Sequence, residues 1–577
     1  MHYQAPLEDM AFLLDDVFDL SGLYGSIPEF AEFDSDLYQA VLEEAGKFCE
    51  SVLLPINRSG DEEGCRFEAG DVITPAGFRE AYRAYVEGGW QSLTGDPRYG
   101  GQGLPKALHV LVEEMIYSCN TSFCLYGSLT AGAYHLLHAH GPEAIRNAYL
   151  PKMISGEWSG SMCLTEAHAG SDLGLLKTRA EPDGDDRYRL NGSKIFITGG
   201  EHDLADNIIH LVLARLPDAP PGPKGISLFL VPKFHVTDAG GIGERNGIAC
   251  GAIEHKMGIK ASSTCVMNLD DAVGYLIGPP NEGLKCMFTM MNLERLSIGL
   301  QGVGLGEMAY QQAYSYARER RQGRTADSGI EPAAIIRHKD VKRMLLTMRA
   351  WNEAGRALAV WLGTETDLGF HSGDAAVRER SATLAALLTP VAKAFFTDMG
   401  FETTNLGLQC FGGHGYVREW GMEQLVRDCR IAQIYEGTNG IQALDLAGRK
   451  ILADQGAGYG IFEQQVQAFI DGNPDETLRA DIIAPLQAAL ADLSELTRWL
   501  LDQAATDADE LQAAAVEYLH SFGLVTYAYL WARMAVAARD KPPMADDKRR
   551  LARFYMARLL PRLQGLKASV MAGVEAF

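Results

Sequence analysis

Four short clusters of residues could carry chemistry in this sequence. In Met162-Cys163-Leu164-Thr165-Glu166-Ala167-His168-Ala169-Gly170-Ser171-Asp172, an apolar run ends in small and hydroxylated residues. Small residues let a backbone approach a flat ligand closely, and the hydroxyls of Thr165 and Ser171 donate and accept hydrogen bonds. Ile195-Phe196-Ile197-Thr198-Gly199-Gly200 offers an aromatic ring, a hydroxyl and two glycines suited to packing on a ring system. Gln409-Cys410-Phe411-Gly412-Gly413-His414-Gly415-Tyr416 has glycines able to expose N–H groups to phosphates. It lacks the strand and the G-x-G-x-x-G spacing of a dinucleotide fingerprint. Ile434-Tyr435-Glu436-Gly437-Thr438-Asn439-Gly440-Ile441-Gln442 sets a carboxylate between an apolar flank and a small-residue turn. Such surroundings raise a carboxyl pKa and make it a useful base. Taken singly, each cluster also reads as a strand end, a turn or a helix cap.

The elements that must hold these clusters change character along the chain. Residues 1–36 read as an N-terminal extension and 37–158 as a helical domain, with Val41, Ala45 and Phe48 on one helical face. Residues 159–278 carry β signals at the spacing of a small barrel or sandwich. Within them, Asn191-Gly192 in Tyr188–Ile197 predicts a hairpin turn. Residues 279–452 are helical again, with Val341, Met344, Leu345, Met348 and Trp351 at a 3.6-residue period. Gly302-Val303-Gly304-Leu305-Gly306 lies in this helical pattern and reads as small-residue helix packing. Residues 453–577 form an extra helical domain, with Leu486, Leu490, Leu493, Leu496, Trp499 and Leu500 in one stripe.

Composition bounds the possibilities. The chain has 577 residues, 47% of them hydrophobic and 22% charged, so disorder and collagen are excluded. A net charge of −23 opposes binding to nucleic acid phosphates. Ten scattered cysteines form no C-x-x-C pair, which predicts reduced thiols and no zinc or redox motif. The acidic start, MHYQAPLEDMAFLLDDVFDL, lacks a basic n-region, and no uninterrupted apolar run reaches membrane-spanning length. A cytoplasmic protein is expected.

In this order and at these spacings, the four clusters resemble the acyl-CoA dehydrogenases, over roughly Leu37 to Lys450. Tyr99-Gly100-Gly101-Gln102-Gly103-Leu104 and Tyr149-Leu150-Pro151-Lys152-Met153-Ile154-Ser155-Gly156-Glu157 belong to the same likeness. The extended ends are similar to a long bacterial subgroup that includes 3-(methylthio)propanoyl-CoA dehydrogenases. The resemblance implies a mainly α fold with a central β domain: helical domain, small β-barrel, four-helix bundle and an additional C-terminal helical domain. It implies bound FAD, an acyl-CoA substrate dehydrogenated to the trans-2-enoyl-CoA, and electrons passed to an electron-transfer flavoprotein. It also implies a homo-oligomer; a dimer is expected because the added tail domain blocks further assembly, and no metal is expected. By the same likeness, Thr165 meets the flavin pyrimidine edge, Phe196 stacks on the ring and Thr198 lies at the N5 region. Ser171 lies on the CoA side. Arg320 meets the FAD pyrophosphate from a neighbouring subunit, joined by Gln409, Gly412 and Gly413. Thr438 contacts the dinucleotide, Gly437 and Arg295 the substrate, and Glu436 is the base.

Several positions depart from the family pattern. Phe196 stands where Trp is common, Gly323 replaces an aromatic residue, and Asn292 replaces an Asp. Glu294 occupies a position from which some members supply the base. Glu436 is the expected base because Tyr435-Glu436-Gly437-Thr438 is intact, and Glu294 is expected as a partner of Arg295 or another arginine. His135, His138 and His140 precede Gly141-Pro142 and read as helix-end residues. Lys548, Arg549, Arg550, Arg553, Arg558 and Arg562 make the last helices basic. They read as a packed tail, with an anionic membrane or partner surface as the alternative. Two rival functions remain: an oxidase that reduces oxygen, and a flavin-scaffold nucleic-acid binder.

Overall fold

The computed structural model describes all residues except 185–186, 238, 327–329, 474–475 and 505–506. Its chain divides into two compact units. One gathers Met1–Glu50, Pro105–Cys119 and Ile298–Phe577; the other gathers Ser51–Leu104 and Asn120–Ser297.

The second unit is built on a seven-stranded sheet. Its strands are β1 (Trp158–Cys163), β2 (Arg179–Pro182), β3 (Arg187–Thr198), β4 (Asn207–Ala214), β5 (Ser227–Pro232), β6 (Ile248–Ile253) and β7 (Thr264–Ile277). The order is β1-β4-β5-β7-β3-β2, with β6 also on β7. Among these strand pairs β1 and β4 run parallel, and an isolated parallel bridge joins Arg179 of β2 to Arg215. The sheet rolls up as its ends meet: the Ile195 N–H donates to Thr165 O beyond β1, and the Arg215 N–H beyond β4 donates to Thr178 O. β4 and β5 are buried throughout, so they read as continuous apolar runs. Helices cover one face, where Leu129, Leu136, Leu150 and Met153 pack with Trp158, Leu211 and Leu230.

The hairpin expected at Asn191-Gly192 does not form. Both residues lie inside β3, a single 12-residue strand paired with β7 on one side and β2 on the other. The irregularity is in β7 instead, where the register shifts between Leu269 and Ala272. The Asn191 amide fastens that bulge, donating to Asp271 Oδ1 and accepting from the Asp271 N–H, both at 2.9 Å.

The first unit is helical. Residues 106–119 of α1 (Lys106–His140) and 298–319 of α2 (Gly283–Glu319) belong to it, with α3 (Lys339–His371) and α4 (Ala375–Phe411). The expected period holds in α3, where Met344, Leu345, Met348 and Trp351 are buried and Val341 is half-buried. The Gly302–Gly306 stretch is a packing seam. A Cβ at Gly302 would lie 2.4 Å from Phe396 O, and one at Gly304 2.7 Å from Glu114 O. Although no uninterrupted apolar run reaches that length, Ala375–Tyr416 is long and apolar enough to span a membrane. In the fold, 72% of its most apolar window is buried.

After a short helix α5 (Asn439–Leu444), the tail supplies α6 (Ala484–Ala504), α7 (Ala508–Ala537) and α8 (Met544–Phe554). Of the expected stripe, Leu486, Leu490, Leu493, Leu496 and Leu500 are buried and Trp499 is half-buried. α7 docks on the bundle: Trp531 Nε1 donates to Ala350 O at 3.1 Å, and Gly523 admits the Phe395 ring. The N-terminal segment touches both bundle and tail. Tyr24 donates to Asp367 at 2.7 Å, and Asp16 pairs with Lys541 at 2.6 Å. Four of the six basic residues of the last helices meet acidic neighbours. Lys548 pairs with Glu353, Arg550 with Asp547, Arg553 with Asp481 and Arg562 with Glu402, at 2.6 to 3.0 Å. Arg549 donates to the Thr477 carbonyl at 2.8 Å, a further contact within the tail.

Candidate active site

In the second unit, a bulge brings Thr165, Phe196 and Thr198 together. The pairing of β3 with β7 slips between Cys265 and Met267, so Ile195 and Phe196 both face Val266. Phe196 takes φ 59° and its ring is 60% exposed, although its neighbours Lys194 and Ile197 are buried. Bulges re-aim side chains in this way. The Ile195 N–H then bonds the Thr165 carbonyl at 2.9 Å. Among the described residues, neither the Thr165 nor the Thr198 hydroxyl meets a protein hydrogen-bond partner. Ser171 lies on the exposed loop that follows, beside Asp172, whose carboxylate caps Gly174.

A buried ion pair that the motif reading missed fixes this loop. Lys194, fully buried, donates to Leu164 O at 3.0 Å and Glu166 Oε1 at 2.9 Å. Glu166 also accepts from the Lys177 and Thr178 N–H groups and the Thr178 hydroxyl. Burial pushes the Glu166 carboxyl up; Lys194 and these donors outweigh it and hold it at about 2. Thr165 is thus clamped from the residues on both sides of it.

Arg295 and Glu294 lie buried near the end of the second unit's chain. The Arg295 guanidinium sits over the Phe288 ring and donates to Asn292 Oδ1 at 3.3 Å. Glu294 is 2% exposed and faces Gly132, where a Cβ would lie 2.5 Å from its Oε1. The three histidines of the helix end reach three different partners: Thr94 for His135, Asp96 for His138 and Thr289 for His140.

The first unit holds two further clusters. At the end of α2, Tyr316 stacks on Phe411 with centroids 4.2 Å apart and bonds His414 through its hydroxyl. Arg320 follows Tyr316 by about one turn, its N–H donating to the Tyr316 carbonyl at 2.9 Å. Arg320 and Gln409 are exposed, as are Gly412 and Gly413, around which a Cβ would meet nothing within 4 Å. An open backbone, an amide and a guanidinium fit a phosphate chain. In the second unit, taken by itself, the exposed ring of Phe196 and the hydroxyls of Thr165 and Thr198 fit a flat aromatic group. Where Gly323 lacks an aromatic side chain, the His338 ring lies 3.2 Å from the would-be Cβ.

The other cluster is the loop carrying Glu436, Gly437 and Thr438. Glu436 and Gly437 both take left-handed backbone, φ 57° and 81°. A non-glycine residue there is held by its surroundings. Gln442 Nε2 donates to the Glu436 and Gly437 carbonyls at 3.3 and 3.2 Å. The buried Lys393 Nζ donates to the Gly437 carbonyl at 2.8 Å. Thr438 starts α5, its hydroxyl accepting from the Ile441 N–H. Tyr435 donates to Gln301 Oε1. Glu436 is left half-buried at the crest of this loop, a place for a proton acceptor.

Comparison with known proteins gives one answer along the chain. Residues 35–157, 161–272 and 281–451 match the families described as acyl-CoA dehydrogenase N-terminal domain, middle domain and C-terminal domain. Residues 462–577 match the family described as acetyl-CoA dehydrogenase C-terminal like. A 3-methylmercaptopropionyl-CoA dehydrogenase of Ruegeria pomeroyi is 42% identical, over 95% of this chain and 93% of its own. A butyryl-CoA dehydrogenase of Syntrophomonas wolfei is 34% identical, over 100% and 98%. The crystal structure of an acyl-CoA dehydrogenase from Bacillus anthracis, complexed with FAD, superposes with a TM-score of 0.76 at 21% identity. It covers 97% of this chain and 91% of its own.

Proposed function

The chain belongs to the acyl-CoA dehydrogenase family, and from that premise we propose that Glu436 is the base in an FAD-dependent α,β-dehydrogenation of an acyl-CoA thioester. The observation that carries this reading is the Glu436 loop: a carboxylate on left-handed backbone, locked through its carbonyls by Gln442 and Lys393.

The chemistry follows from the residues. The Glu436 carboxylate takes the α-proton, and its backbone N–H donates to the thioester oxygen as negative charge gathers there. When bound, FAD supplies the acceptor for the hydride lost from the β-carbon. Thr165 and Thr198 orient the flavin ring through their hydroxyls, and Phe196 covers it and excludes water. Arg320, Gln409, Gly412, Gly413 and Thr438 hold the dinucleotide. Ser171, Gly437 and Arg295 meet the substrate. Buried Glu294 is a structural partner in this reading, not the base.

Electrons pass to an electron-transfer flavoprotein in this proposal, and oxygen is the rival acceptor. The exposed Tyr416 and Trp420 beside the Gly412-Gly413 turn support a homodimer that pairs this face. Ten cysteines without a disulfide, nine of them buried, suit the reducing cytoplasm. The relatives are named for different acyl groups, so the first substrates to compare are 3-(methylthio)propanoyl-CoA and butanoyl-CoA.

The test is anaerobic titration of the flavin band with a panel of acyl-CoAs, for the wild type and Glu436→Gln. Bleaching by one acyl class is expected in the wild type, with full flavin content but loss of bleaching in the variant. Bleaching retained by Glu436→Gln and lost by Glu294→Gln moves the base to Glu294.

A further inference from the structure

We infer that the tail domain takes part in catalysis: His520 on α7 is a positioning residue for the base loop, acting through Asp398 on α4. This rests on Glu436 as the base. One carboxylate oxygen of Asp398 grips the loop on both sides of that residue. Asp398 Oδ1 accepts from Gln433 Nε2 at 2.6 Å, three residues before Glu436, and from Asn439 Nδ2 at 2.8 Å, three residues after it. The other oxygen, Oδ2, faces the tail and meets His520 Nε2 at 2.9 Å.

The rest of the geometry makes this carboxylate a keystone. The Asn439 amide oxygen accepts from Lys393 Nζ at 2.9 Å, and the same ammonium donates to the Gly437 carbonyl. A turn of Asp398 therefore reaches the backbone beside Glu436 through three hydrogen bonds, by way of Asn439 and Lys393. Burial pushes the Asp398 carboxyl up, but His520, Gln433 and Asn439 outweigh it and hold it below the ordinary range. A charged acceptor makes stronger bonds to both amides than a neutral one. His520 is itself set by the Phe395 ring, edge to face at 5.7 Å, in the seam where Gly523 lets α7 approach α4. The tail domain of this chain thus supplies a hydrogen bond to the carboxylate that holds the Glu436 loop.

The experiment compares wild type, His520→Gln, His520→Phe and Asp398→Asn, each purified with flavin. Gln keeps a donor toward Asp398; Phe keeps ring volume without one. Anaerobic flavin reduction by the preferred acyl-CoA is followed with substrate KM, flavin content and thermal midpoint. His520→Phe is expected to slow reduction about ten- to a hundredfold, the scale of a small misplacement of a catalytic group. KM and flavin content stay near wild type, and His520→Gln recovers most of the rate. Asp398→Asn, which keeps an acceptor for the loop amides but no charge, falls between. The inference is overturned if His520→Phe reduces its flavin at the wild-type rate. It is equally overturned if the rate loss follows only flavin loss or a lowered midpoint. If His520→Phe is insoluble, wild-type rates in Asp398→Asn overturn it, and slowed rates with intact flavin support it. Reduction retained in Glu436→Gln is the separate failure, that of the base assignment.

Discussion

At the residue scale, the decisive partners are buried and charged. Lys194 holds Glu166 and the Leu164 carbonyl on either side of Thr165, so the hydroxyl proposed to meet the flavin depends on an ion pair behind it. The motif names Thr165 and Glu166; nothing in its spacing says that a lysine 28 residues on will reach into it. Lys194→Met leaves the carboxylate with its backbone and hydroxyl donors only. Breaking one side of a buried pair costs about 3–5 kcal/mol. The expected result is a lower urea midpoint and reduced flavin content, read by denaturation and the visible spectrum. The pH dependence has a definite sign. Glu166 titrates at about 2 in the fold, below the unfolded value of about 4.3. Its contribution is full above that unfolded value and is lost as pH falls through about 2, and the variant lacks most of it.

At the element scale, two irregular stretches do what regular ones cannot. The β3 bulge turns Phe196 outward while Lys194 stays inside. The Glu436 loop adopts left-handed backbone at two successive residues and then starts α5 at Thr438. Gly437 is needed twice over: its φ is 81°, and a Cβ would lie 2.6 Å from Gln442 Nε2. Gly437→Ala is expected to displace Gln442, cost about 1 kcal/mol of stability and slow flavin reduction about tenfold or more. Stopped-flow reduction with a melting curve checks both. The hairpin expectation failed in β3 because the Asn-Gly pair has a local turn preference that tertiary pairing overrides. Strands on both sides of β3 reward extension, and Asn191 spends its hydrogen bonds on the β7 bulge.

At the scale of the whole molecule, a buried ion network joins distant parts of the chain within the helical unit. Arg356 meets Glu114, Glu307 and Asp9, while Lys548 of the tail meets Asp9 and Glu353. Asp9 thus ties the N-terminal segment to both bundle and tail. Burial pushes its carboxyl up, but Lys548 and Arg356 outweigh it and hold it at about 2. An aspartate so depressed contributes about 2–3 kcal/mol at neutral pH, lost as pH falls from about 4 toward 2. Asp9→Asn is expected to lower the neutral-pH unfolding midpoint and to flatten its fall between those pH values. Urea melts across that range check it.

The sequence by itself determined the kinds of element, the order helices–barrel–helices–tail, and the four clusters that carry the likeness. Each of these rests on patterns a few residues long: periodicity, small-residue turns, a carboxylate beside glycine. Only the tertiary structure decided what those clusters lean on. Asp398 and His520 lie 122 positions apart, and Asp9 and Arg356 lie 347 apart. Such pairs leave no local signature, because one charge or amide in a helix looks the same whether it faces water or a buried partner. Packing selects the partner, and desolvation then makes the choice count.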